Sequence, residues 1–381
     1  MKAKKHAKNS IIRNPYYTII LMIVSLVAVL AYIWKTTPAQ DDGNEPGSGS
    51  VSKKQNITNQ RKAFFQTGNH EFFTSSRTLL GTVVTIQAGT DDPKKAVAMV
   101  RAGFKEIRRL LTLLGPTGPG RPVSEINASS GGPPVKVGTD LMNVLVASKK
   151  IADLTGGAFD PTWAVLAPFR HSDKKNSKSL DQSKVASAVK LVDYQLLILD
   201  RENSTARLEK KGMALDLAEV AKGYAADRAA QVLAGMGCKS ALINVGGNIH
   251  ALGGHDSKPW EIGIKDPSNS KKLLGTVAVR DMALATSGNL EKSFSGDGPR
   301  YHQILDPRTG MPARNTKAVS VIAPTGIEAG ALKAAFFVMG PKDALKLANK
   351  LENIEMLIVD PNDRIMMTPG FTKVFKINHG K

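Results

Sequence analysis

Apolar positions follow three regimes along the chain. Between Thr18 and Trp34 the run TIILMIVSLVAVLAYIW contains no charge. As a helix it would reach about 25 Å, a little under the roughly 30 Å of a bilayer core. Tyr16 and Tyr17 at one end, with Tyr32 and Trp34 at the other, resemble interfacial aromatic belts. From residue 38 to about 75 there is no apolar period, and GNEPGSGSVSKKQNITNQ has the composition of a flexible linker. Beyond 76, alternating and helical spacings recur in turn. They predict a strand over Thr78–Gln87, helices over 93–114 and 139–154, and a glycine turn at 156–162. A polar loop then runs to about 183, followed by a hairpin around 195–215 and a helix opening at Asp216 and ending near Gly237. Further on come a buried strand at Ala241–Val245, strands near 260–265 and 275–285, and a turn at 306–310. Helices near 327–339 and 342–351 and strands at 355–359 and 364–367 complete the series. No internal repeat is present, and the irregular order of strands and helices points to an α+β assembly. The resulting division is a cytoplasmic tip and anchor at 1–37, a linker at 38–75, a folded domain at 76–370 and a tail at 371–381.

Composition adds a direction to this layout. Apolar residues at 42% and charged residues at 22% are ordinary for a globular chain, whereas a formal charge of +19 is not. Part of the excess is Lys2, Lys4, Lys5, Lys8 and Arg13, ahead of the apolar run. That bias keeps the N-terminus cytoplasmic and places the domain on the far side of the inner membrane, periplasmic or otherwise extracytoplasmic if the source is bacterial. A cleaved signal peptide is the alternative, but the run is long and Pro38 and Lys35 disfavour a cut after Ala39. The remaining lysines form no compact block with interleaved aromatics, so solvated faces are favoured over nucleic-acid binding. The single cysteine, Cys238, excludes an intrachain disulfide and reads as a small buried residue.

Chemistry concentrates in Asp216–Tyr224, DLAEVAKGY. Asp216 is placed to cap a helix, with Glu219 three residues on completing an acidic capping box. Leu217, Val220, Ala221, Tyr224 and Ala225 form an apolar face, and Lys222 lies about a turn into the helix. A helix N-terminus with unpaired donors suits an anion such as phosphate. Three glycine turns, at Gly246–Asn248, Ala285–Asn289 and Asp306–Gly310, allow close backbone approach. Thr286, Ser287, Arg308 and Thr309 are candidate donors to phosphate or ribose oxygens. GxGxxG, GxxxxGK[ST], HExxH and GxSxG are all absent, which removes Rossmann, P-loop, zincin and serine-elbow readings.

In their order these pieces resemble the ApbE-type flavin transferases, the FAD:protein FMN transferase family. The matching segments are Leu80–Thr82, Ser124–Asn127, Gly157–Thr162, Asp216–Tyr224, Asn244–Asn248, Ala285–Gly288, Ile304–Gly310 and Phe337–Gly340. The resemblance implies two related subdomains of mixed sheet and helices, T-fold-like, with FAD between them. It implies Mg²⁺-assisted attack by a Thr or Ser hydroxyl of a target protein on the FAD diphosphate, attaching FMN and releasing AMP. The acceptor would be a flavoprotein, with a subunit of a membrane redox complex as one candidate. Carried over by position, Leu80, Gly81, Thr82, Ala158, Phe159, Asp160, Asp216, Thr286, Ser287, Gly288 and Ile304 line the FAD site. Lys222 sits by the phosphates, Lys222 and Asp216 take catalytic roles, and Glu219 faces the metal through its backbone carbonyl or its carboxylate.

The chain departs from the family pattern beside that metal. The usual Asp and Thr ligands, four residues apart on one helix face, are Gly330 and Ala334 here, and neither side chain offers an oxygen. The usual His before the Ile-Leu-Asp-Pro segment is Gln303, and the usual Met is Leu80. Two arrangements follow. In one, the ammonium of Lys333 takes the vacant place and pairs with Glu219. In the other, the Glu219 carboxylate recruits Mg²⁺ together with substrate phosphates. Beside both stand the plain readings, Glu219 as a capping-box acid and Lys333 as a solvated helix lysine. The activity expected is FMN transfer, with an FAD-binding protein of impaired or no transfer, or FAD hydrolysis to FMN and AMP, as the alternatives.

Overall fold

A nine-stranded sheet carries the domain. The structure is a computed structural model; it describes residues 61–67, 70–90, 92–118, 120–171, 181–255, 258–288, 293–294, 301–302 and 304–378. The strands are β1 (Arg61–Thr67), β2 (His70–Leu79), β3 (Thr82–Gly89), β4 (Val135–Lys136), β5 (Leu197–Asp200), β6 (Thr205–Leu208), β7 (Ser240–Val245) and β8 (Asn248–Leu252). They continue with β9 (Trp260–Asp266), β10 (Asn269–Val279), β11 (Met282–Gly288), β12 (Ser293–Phe294), β13 (Tyr301–His302), β14 (Ala318–Ala323), β15 (Glu355–Val359), β16 (Ile365–Met367) and β17 (Phe375–Ile377). The helices are α1 (Pro93–Leu113), α2 (Pro122–Ala128), α3 (Thr139–Leu154), α4 (Gln182–Val189), α5 (Ala218–Gly235), α6 (Gly326–Met339), α7 (Pro341–Ala348) and α8 (Pro369–Val374). The main sheet runs β1-β2-β3-β7-β8-β11-β14-β15-β16.

Both faces of that sheet are covered at its β14 strand, which explains why AVSVIA has no exposed position. Val319, Val321 and Ala323 join the core beneath α1, α5 and α6. Ala318 and Ile322, one residue out of phase, join a second core with Ile262 and Ile264 of β9, Val277 and Val279 of β10, and Phe371. Period-2 alternation thus decides which layer each side chain enters. Helix α6 is apolar nearly all round and is correspondingly buried, with Phe336 and Phe337 almost fully enclosed. Each such ring contributes roughly 1.5–3 kcal/mol relative to an exposed one.

Several expectations change here. Every pairing in the main sheet is antiparallel, so it is not a mixed sheet. One continuous sheet serves both of the halves that the resemblance implies. The predicted strand 78–87 is two strands joined by a tight turn, with Leu80 at φ 47° and Gly81 at φ 77°. Two positive dihedrals in a two-residue loop match the twist of the flanking strands; an unbroken run of β-formers conceals them. The segment 275–285 likewise divides at Asp281, φ 50°. Among the described residues, regular structure is already present at Arg61, inside the stretch read as linker, because β1 pairs with His70–Ser76 of β2. At the other end, β17 pairs with β10 and Phe371 is fully buried, so residues 371–377 belong to the fold and are not a tail. The polar loop before 183 contains the start of α4, capped by Asp181. Cys238 is buried, as expected. The predicted anchor, residues 18–34, lies outside the described residues; among the described residues no helix is long and apolar enough to cross a membrane.

Candidate functional site

The motif DLAEVAKGY is held in place from four directions. Helix α5 starts at Ala218, and Asp216 Oδ1 accepts from the Ala218 N–H at 2.8 Å. The residue at the cap position is therefore Leu217, and Asp216 works from one residue further out than the sequence reading placed it. The Asp216 N–H donates to the Pro161 carbonyl at 2.9 Å, tying this motif to the GAFDPT loop. Asn127 of the SEIN segment clamps Leu215 from both sides, donating to its carbonyl at 3.0 Å and accepting from its N–H at 2.7 Å. Further along α5, the Asp227 carboxylate accepts from the Gly326 N–H at 2.9 and 2.8 Å and so anchors the start of α6, with His250 Nδ1 2.8 Å away.

Two clefts open on the first turn of α5. One is lined by Ala158, Phe159, Asp160, Trp163, Glu219, Ser287, Ile304 and Ala334. The other is lined by Leu80, Thr82, Arg121, Ala218, Ala221 and Lys222. The Gly246 turn closes on the second: a Cβ at Gly246 would lie 2.7 Å from Thr82 Cγ2 and 3.7 Å from Lys222 Cδ, which is why glycine, φ +58°, stands there. The motifs scattered over the chain therefore converge on one helix start. A larger open groove along α3, past Lys149, Lys150 and Tyr194, carries none of them.

Individual residues take more specific places. Asp160 is buried, and its carboxylate accepts from the Thr162 N–H at 2.7 Å, the Thr162 hydroxyl at 2.6 Å and the Tyr194 N–H at 2.9 Å. Burial raises its pKa above the ordinary carboxylate value, against the pull of those donors. It fastens the loop that carries Phe159 into the cleft. Ser287 lines the cleft, but Thr286 points to the opposite face of β11, where its hydroxyl lies 2.9 Å from that of Ser320. Thr286 is thus not placed to touch a ligand in either cleft, a consequence of strand alternation. Arg308 is engaged by the Asp306 carboxylate through two bonds of 2.9 Å, so it holds its loop. Gly81 lies in the turn beside Leu80, and Gly288 ends β11 beside Ser287. Gln303 lies outside the described residues. Among the lining residues that the sequence does not single out are Arg121 and Trp163. Each is adjacent to a matching segment, Arg121 three residues before SEIN and Trp163 directly after GAFDPT.

The Glu219 carboxylate does not complete a reciprocal capping box; it carries an ion pair with Lys333, Oε2 to Nζ 2.9 Å, with 5% of the lysine side chain exposed. Lys333 is accordingly no solvated lysine. The residues here do not fit a protein-held Mg²⁺, which takes about six hard oxygens in octahedral array. A Cβ on Gly330 would overlap the Glu219 carbonyl oxygen, so α5 and α6 have closed the space an aspartate at 330 needs. Ala334 supplies no oxygen. The same Cβ position is 3.3 Å from Asn248 Oδ1, a buried oxygen with no hydrogen-bond partner. Two neutral oxygens and a carboxylate already matched by an ammonium fall short of a Mg²⁺ shell. Among the described residues no group of three or more His, Cys, Asp or Glu is arranged to hold a metal.

This arrangement has close relatives. A sequence model of the ApbE family matches residues 80–358. The FAD:protein FMN transferase of Treponema pallidum is 30% identical over 318 residues, 78% of this chain and 87% of its own length. That of Klebsiella pneumoniae is 28% identical over 315 residues, 82% of this chain and 97% of its own. Among solved structures, the ApbE protein of Thermotoga maritima superposes with a TM-score of 0.73 at 30% identity, covering 80% of this chain and 99% of its own. The flavin transferase ApbE of Vibrio cholerae does so at 0.71 and 22% identity with the same coverage, a likeness of fold. The chain belongs to the ApbE family.

Proposed function

We propose that this protein transfers FMN from FAD to a Thr or Ser hydroxyl of a target protein and releases AMP. The observation that carries the reading is the convergence of the two clefts on the start of α5. Phe159, Trp163 and Ile304 offer flat and apolar surface to an aromatic ring system. Lys222 and Arg121 bring positive charge to the other side. Between them lies the start of α5, whose dipole puts partial positive charge where a phosphate would sit. In the reaction the acceptor oxygen bonds to the FMN phosphorus and the bridging P–O bond breaks. AMP leaves with that electron pair, and the hydroxyl proton is released. Lys222, Arg121 and the helix start counter the charge that grows on the leaving phosphate. Asp216 keeps the first turn in register through Ala218 and Pro161.

A second reading, FAD binding with impaired or no transfer, is favoured by Gly330 and Ala334, which leave the expected metal ligands unreplaced by oxygen. One experiment separates them. The full chain, purified in detergent, is incubated with FAD and a candidate acceptor; AMP with covalent flavin on the acceptor supports transfer, AMP with free FMN supports hydrolysis, and bound FAD without AMP supports the second reading.

The proposal extends to place and partner. The basic tip and the apolar run 18–34 support a single-pass anchor in the inner membrane with the N-terminus inside and the catalytic domain in the periplasm. The acceptor is then an extracytoplasmic flavoprotein, with a membrane redox subunit as the first candidate. Loss of in-gel flavin fluorescence from a membrane protein on deletion of this chain tests both.

A further inference from the structure

Lys333 stands out in α6 because it is the one charged residue among ten buried positions of that helix. A buried ion pair is weak evidence for a stabilising role, since desolvation offsets much of its attraction. Its placement suggests an electrostatic one. The Glu219 carboxylate sits on the first turn of α5 and lines the cleft, with a quarter of its side chain exposed. Alone, it would oppose the anion that the helix start otherwise favours. The Lys333 ammonium, 2.9 Å from it, cancels that charge from beneath. The same ammonium also repels a divalent cation from the place where Glu219 O and Asn248 Oδ1 converge beside Gly330.

We propose that the Lys333 ammonium is the resident cation of this site, neutralising Glu219 beside the diphosphate so that FAD binds without a divalent metal. The inference rests on the FAD reading above. It makes Lys333 a positioning residue for charge, not one that contacts the reacting atoms.

Flavin fluorescence quenching on the detergent-purified full chain tests it, with FAD and riboflavin as probes, each in excess EDTA and in excess Mg²⁺. The wild type is expected to bind FAD equally in both buffers, within about twofold. Lys333→Met, checked for an unchanged far-UV spectrum and cooperative melting, is expected to weaken FAD by about tenfold or more and riboflavin, which lacks phosphate, by about twofold or less. Adding Glu219→Gln to Lys333→Met is expected to restore most of the FAD affinity, because the carboxylate that Lys333 faces is gone. Tightening of wild-type FAD binding by about tenfold in Mg²⁺ would overturn the inference while leaving the functional reading intact. So would a Lys333→Met variant that binds FAD normally, or one that loses FAD and riboflavin equally. A wild type that binds FAD in neither buffer would overturn the functional reading and this inference with it.

Discussion

Gly223 of α5 and Gly326 of α6 meet backbone against backbone: a Cβ built on either overlaps the carbonyl oxygen of the other. This contact sets the spacing between the two helices, and with it the distance from Glu219 to Lys333. Gly223→Ala cannot be absorbed by a rotamer change, so it is expected to destabilise by about 3 kcal/mol. Gly235→Ala at the far end of α5, where a Cβ meets nothing within 4 Å, is expected to stabilise by about 0.5 kcal/mol. Urea midpoints of the two variants test the contrast.

Leu80 is exposed, 56%, on a cleft wall and at positive φ. An L-residue there stores about 1 kcal/mol of strain. Leu80→Gly is expected to leave stability unchanged or raise it, while weakening FAD binding several-fold through the lost apolar contact, on the order of 1 kcal/mol. A lowered melting temperature with unchanged affinity would contradict this.

Thr286 and Ser287 are neighbours with opposite assignments. Thr286→Ala removes the partner of the Ser320 hydroxyl and is expected to cost about 1 kcal/mol of stability without changing FAD affinity. Ser287→Ala is expected to do the reverse, with a small loss of affinity and no loss of stability. Parallel melting and binding curves decide it.

Acid stability should depend on the cluster around Arg109. Its guanidinium donates to Glu106 at 2.8 and 2.7 Å and to Asp140 at 2.7 Å. Hydrogen bonding from Arg109 holds Glu106 below its ordinary 4.5. Burial pushes Asp140 up, but donors from Tyr224 and Arg109 outweigh it and bring it below 3.8. Folded values below unfolded ones mean stability that is present above pH 4.5 and lost as pH falls through the depressed values. Arg109 is half exposed, so Arg109→Gln is expected to cost only about 0.5 kcal/mol at neutral pH and nearly nothing in strong acid. Tyr224 has the opposite sign: burial and the Asp140 carboxylate push its phenol up to about 12, so its contribution is complete below pH 10 and is lost as pH rises from there through that value. Ultraviolet titration of the phenol against Tyr224→Phe tests this.

Much of the chain could be read locally. The ranges Pro93–Leu113 and Thr139–Leu154 agree with the spacing of their apolar positions, because a helical stripe is a property of near neighbours. The order of the eight motifs was enough to point to the family and to the helix that begins after Asp216. What the sequence could not settle depended on which surface each residue met. The Leu80–Gly81 turn hides in a run of strand-formers, since only dihedral signs distinguish it. Thr286 looked like a ligand donor until the register of β11 on β14 placed it opposite Ser320. The pairing of Glu219 with Lys333 was one of two open arrangements, and the packing of α5 on α6 chose it. At Gly330 no side chain fits between the helices, so the buried ammonium, and not a metal shell, answers the acid at the start of α5.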